Sequence, residues 1–147
     1  MITAFLSARG FDVIQASNGA ELELLVRAAS RAEEGSSLSL VLSDVRMPFA
    51  SGTAALARLR ASSERIRVIL WSAFPDFQVR ATASSLGVSA FLDKPFSLDE
   101  LHRVVCAVLA LPAPACRGDA HRYEIRSAPA SGLSRPRKVA RRWAATR

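Results

Sequence analysis

The sequence predicts an α/β fold, a doubly wound parallel sheet in one domain, from its pattern, its apolar runs and its size. Short runs rich in β-branched residues alternate with longer stretches whose apolar residues recur at helical spacing. The short runs are apolar nearly throughout, as strands covered on both faces should be. A chain of 147 residues, 50% hydrophobic and 22% charged, suits a single globular domain with a short remainder.

In order along the chain, strands are predicted at 11–16, 38–43, 68–71 and 90–92. Helices fall between and after them. Residues 20–30 place Leu22, Leu24, Leu25 and Ala28 largely on one side, and 52–61 do the same with Ala55, Leu56 and Leu59. Residues 77–86 and 98–109 behave alike. The last helix opens on a capping box, Ser97 with Glu100, and Asp99 and Glu100 face the positive end of its dipole.

Past Leu111 the composition changes to Pro, Ala, Ser and Arg, with Pro112, Pro114, Pro129 and Pro136. The domain therefore spans 1–111, followed by a basic tail, 112–147, expected to be disordered and too short to fold alone. The net charge of +7 lies wholly in that tail: residues 1–112 carry 11 basic and 11 acidic side chains, residues 113–147 carry 9 and 2. The run from Arg135 to Trp143 could track a phosphate backbone, with Trp143 stacking on a base, or could simply solubilise the chain. Cys106 and Cys116 make no CxxC pair, and Cys106 reads as a small buried hydrophobe. The uncharged stretch 104–116 is broken by Pro112 and Pro114 and is too short for a membrane span. No signal peptide is read at Met1–Leu6, and a reducing cytoplasm fits best.

The chemistry gathers at strand ends. Asp44 closes an apolar strand just before a turn at Met47 and Pro48, Ser72 closes the next, and Lys94 follows the last within Asp93-Lys94-Pro95-Phe96. In an open parallel sheet this carboxyl edge is where ligands bind. A carboxylate can attack phosphorus, a lysine can neutralise the transferred oxygens, and a hydroxyl can hydrogen-bond one of them.

Taken together, Ser43-Asp44-Val45-Arg46-Met47-Pro48, Ser72-Ala73 and Asp93-Lys94-Pro95-Phe96 resemble the receiver domain of two-component response regulators, over roughly residues 1–111. The resemblance implies a flavodoxin-like fold and a phosphorelay module. In it Asp44 is the phosphoacceptor forming an aspartyl phosphate, Lys94 contacts the phosphate, Ser72 is the switch hydroxyl and Phe91 the switch aromatic. It also implies Mg²⁺, held by Asp44 and the backbone carbonyl of Arg46, and a histidine kinase or phosphotransfer protein as donor.

The family's first strand and its terminal acidic pair have no counterpart here, since Met1–Gly10 match the end of the family's first helix. In the 2-1-3-4-5 strand order that strand is central, so its neighbours are expected to lack a shared partner and Mg²⁺ to be weakly held. A start upstream of Met1, a degenerate remnant, or a strand supplied by another chain through self-association would each account for the gap.

Plainer readings stand beside these. Asp44 could be a turn residue, Lys94 a solvated loop lysine, Ser72 a loop hydroxyl and Phe91 core. Trp71 reads as packing, Asp76 as a helix cap and Asp93 as a solvated charge. The alternatives to a signalling module that is not an enzyme are a non-phosphorylated interaction domain, whose tail contacts nucleic acid, and a haloacid-dehalogenase-type phosphatase. The phosphatase class wants a second acid where Arg46 stands.

Overall fold

The computed structural model describes residues 1–30, 38–46, 52–61, 66–74, 76–110, 123–125 and 142–146. The elements run α1 (Ile2–Ser7), β1 (Asp12–Ala16), α2 (Gly19–Ser30), β2 (Leu38–Asp44), α3 (Gly52–Ala61), β3 (Arg67–Ser72), α4 (Phe77–Ser85), β4 (Ala90–Asp93), α5 (Leu98–Val108), β5 (Tyr123–Ile125) and β6 (Arg142–Thr146). The predicted strands and helices fall on these elements within a residue or so at each end.

The six strands form one sheet in the order β1-β6-β2-β3-β4-β5, parallel except for the β4–β5 pair. Alternation along each strand divides the core in two. Leu40, Leu42, Ile69, Trp71, Ala90 and Leu92 face α1 and α5, meeting Leu6, Leu101, Val104 and Val105. Val41, Val68, Leu70 and Phe91 face the other way, toward Leu22 and Val26 of α2, Leu56 and Leu59 of α3, and Ala83 of α4. Only β1 departs from the two-faced burial read from its sequence: Asp12 and Gln15 are exposed and Ala16 alone is fully covered, because β1 is an edge strand.

Local chemistry sets the helix ends. Gly10, at φ 82°, turns the chain out of α1, and the Phe11 amide donates back to the Leu6 carbonyl at 3.3 Å. Asp76 caps α4 by accepting from the Val79 amide at 2.7 Å, and Ser97 caps α5 by accepting from Glu100 at 3.1 Å, both as read from sequence.

One expectation is corrected. The partnerless gap does not exist in this sheet: β6 lies between β1 and β2, parallel to both, pairing Ile14 with Ala144 and Val41 with Ala144. Within the tail Tyr123–Ile125 and Arg142–Thr146 are strands, and the remainder of 111–147 lies outside the described residues, as do Met47, Pro48 and Cys116. The physical cause of the strand between β1 and β2 lies in their edges. Two parallel strands with unpaired inner edges leave backbone donors and acceptors that each cost about 1–3 kcal/mol when buried without a partner. The uncharged run Trp143-Ala144-Ala145-Thr146 can satisfy them.

Candidate functional site

The carboxyl ends of β2, β3 and β4 stand side by side, because the register sets Asp44 beside Trp71 and Ser72 beside Asp93. This brings Asp44, Ser72 and Lys94 to one edge, as predicted. The Lys94 ammonium pairs directly with Asp44 Oδ2, while Asp44 Oδ1 accepts the Arg46 amide at 2.9 Å. The Asp44 side chain is 13% exposed and that of Lys94 is 40% exposed.

Lys94 is aimed by its surroundings. Its amide donates to the Ser72 carbonyl at 2.8 Å, which fixes the loop after β4 to the end of β3, and its ammonium lies 5.9 Å from the centre of the Trp71 ring. Trp71 is buried and rests on Phe96, with ring centres 5.6 Å apart. Trp71, read as packing alone, thus also walls the lysine.

Ser72 is buried, and its hydroxyl accepts the Phe74 amide at 3.1 Å. Phe91 is 3% exposed and packs in the core on the α2–α4 side, with the Arg80 guanidinium 4.9 Å from its ring centre. Asp93 is not the solvated charge read from sequence, since it forms an ion pair with Arg80 of α4. Nothing in the spacing of Arg80 announces that pair. It exists because α4 packs beside β4, a tertiary fact. Arg46 extends over the ring of Phe74 at 4.9 Å, and Phe74 and Phe77 are 66% and 85% exposed, leaving two aromatic rings in water on the segment after β3.

An acidic cluster for a cation is not found here. Among the described residues no group of three or more His, Cys, Asp or Glu side chains is placed to hold a metal ion. The strand that fills the central position, Arg-Trp-Ala-Ala-Thr, brings no carboxylate. Nor is any described helix long and apolar enough to cross a membrane.

A doubly wound parallel sheet with an aspartate, a hydroxyl and a lysine on its carboxyl edge defines a class of single-domain α/β signalling modules. Comparison with known proteins makes this specific: the family model "Response regulator receiver domain" matches residues 1–106, and the chain belongs to that family, a component of two-component signalling. It is 31% identical to Transcriptional regulatory protein FixJ of Bradyrhizobium diazoefficiens over 105 residues, covering 71% of this chain and 51% of that protein. It is 27% identical to Sporulation initiation phosphotransferase F of Bacillus subtilis, covering 76% and 84%. Among solved structures, a response regulator receiver protein from Burkholderia phymatum is 32% identical with a TM-score of 0.60, covering 76% of this chain and 85% of that one. The chain spans about half the length of FixJ and 23% of the regulatory protein AtoC of Escherichia coli. Receivers generally take Mg²⁺, and the residues described here do not assemble the acidic set such an ion needs.

Proposed function

We propose that this receiver accepts a phosphoryl group on Asp44 from the phosphohistidine of a histidine kinase or phosphotransfer protein. The observation that carries the reading is the Asp44–Lys94 pair at the carboxyl edge. The phosphorus–oxygen bond to Asp44 forms as the donor's phosphorus–nitrogen bond breaks, and the donor imidazole takes the electron pair. Lys94 then moves from the carboxylate to the transferred oxygens, where its charge offsets theirs. Ser72 would follow by leaving the Phe74 amide for a phosphoryl oxygen, and Phe91 would report the change from its place in the core. Arg46 keeps the carboxylate oriented through its amide.

Intact-mass spectrometry after incubation with acetyl phosphate tests this. A base-labile phosphoryl adduct, absent in Asp44→Asn, is the expected result. A folded chain that stays unmodified with acetyl phosphate and with a phosphohistidine donor, with and without Mg²⁺, would overturn it.

A second reading, a non-phosphorylated interaction domain, is favoured by the lack of an acidic cluster among the described residues together with the exposed Phe74 and Phe77. A partner that bound Asp44→Asn as tightly as the parent chain, indifferent to phospho-donor, would select it.

A further inference from the structure

We propose that the cleft between β1 and β2 is a binding site for an extended peptide strand, and that its ligand is this chain's own Arg142–Thr146, held in cis. β1 and β2 share no pairing; β1 is joined to the sheet only through β6, which also covers the edge of β2 that β3 leaves open. Both walls of the cleft are parallel to the segment, so backbone bonds on two edges set its direction and register, the mode of strand addition. The ligand chemistry follows from the walls. One inner edge belongs to β2, whose Leu40, Val41 and Leu42 are at most 1% exposed, so the middle of the ligand must be uncharged. Trp143-Ala144-Ala145 meets that need, and Arg142 stands at the end opposite the Asp44 edge.

The connection permits the cis arrangement. β5 ends with Ile125 opposite Ala90 at the start of β4, and β6 begins with Arg142 opposite Leu38 at the start of β2, so both lie at the same end of the sheet. Four strand spacings separate them in the sheet order, about 19 Å. Residues 126–141 could reach about 50 Å when extended. A second copy, or a segment preceding Met1, would compete for the same cleft.

Hydrogen exchange on the full chain is the first test: amides of 142–146 should be protected like those of β2, and exchange at unstructured rates with β1 and β2 still protected would overturn the site. Light scattering should find a monomer, whereas a dimer that keeps the 142–146 protection would overturn the cis assignment. Ala144→Pro removes a central ladder donor and should expose β1, β2 and β6 together, and a peptide of residues 139–147 added in trans should raise its melting temperature saturably, a scrambled peptide should not. Because the proline chain could fail to fold, a gain-of-function variant stands beside it. Thr146→Asp, one residue past the Leu42–Ala145 pair, would add a carboxylate at the Asp44 end of β2, so Mn²⁺ should bind about tenfold tighter or more, the gain vanishing with Asp44→Asn. A folded variant with no gain would place the segment elsewhere. None of these readouts depends on phosphorylation.

Discussion

Asp44 and Lys94 face each other across the gap between the ends of β2 and β4, and the enclosed carboxylate needs its cation more than the half-exposed cation needs it. Lys94→Ala therefore removes the ammonium that pairs with Asp44 at this edge, and adduct formation from acetyl phosphate should slow about a hundredfold, followed as adduct fraction against time. Arg60 plays a different part. At the end of α3 its guanidinium donates to the carbonyls of Leu86, Ile66 and Gly87, each at 3.0 Å, and partial burial lowers its pKa from the ordinary value. Arg60→Ala should cost about 2 kcal/mol, read from the urea midpoint, and Arg60→Lys should recover only part because an ammonium cannot reproduce the fork. Asp44, Ser72 and Lys94 were legible in the sequence because each follows an apolar strand. Arg60, and the Arg80–Asp93 pair, were not, because their partners are chosen by how distant elements pack and leave no local spacing to read.

At the scale of elements, the helices and the first four strands could be read because their apolar spacing and caps are local properties. Capping remains a local quantity in the fold: Ser97→Ala should cost about 1 kcal/mol in urea stability and leave the adduct yield unchanged. The seam between α1 and α5 holds a histidine whose protonation is linked to folding. His102 of α5 meets Phe5 and Phe11 edge-on, with ring centres 6.2 and 6.0 Å away. Desolvation lowers its pKa below 6.5, the charge of Arg9 adds to that, and Asp99 opposes it. A histidine whose pKa is depressed in the folded state takes up a proton less readily there, so the unfolded form binds more protons near that pH. Its contribution to stability is intact above about 6.5 and is lost as pH falls from the unfolded pKa through the lower folded one. Urea midpoints at pH 7.5 and 5.5 should differ, and the gap should narrow in His102→Phe; an equal gap in both chains would place the proton uptake elsewhere. Arg9 and Asp99 themselves form only a surface pair at 3.4 Å, worth little by itself.

The whole molecule is organised by a strand that its own local sequence does not announce. Arg-Trp-Ala-Ala-Thr has no period-2 pattern and sits in a basic, proline-rich tail, so composition argued for a solvated chain. The sheet selects it nonetheless, because the inner edges of β1 and β2 need a partner more than five residues need their freedom. Trp143, for which the sequence leaves base stacking and plain solvation both open, stands in that strand, paired on the backbone to Val13 and Leu40. Removing residues 142–147 leaves several backbone groups on the flanking strands without partners, at about 1–3 kcal/mol apiece where they are buried. That sum rivals the roughly 5–15 kcal/mol that holds a whole domain together. The shortened chain should therefore lose its cooperative urea transition and much of its helical circular dichroism at 25 °C, and with them the acceptor edge, since Asp44 is carried by β2. A cooperative transition near the parent midpoint would mean instead that β1 can close on β2 directly, and that the tail is dispensable to the receiver.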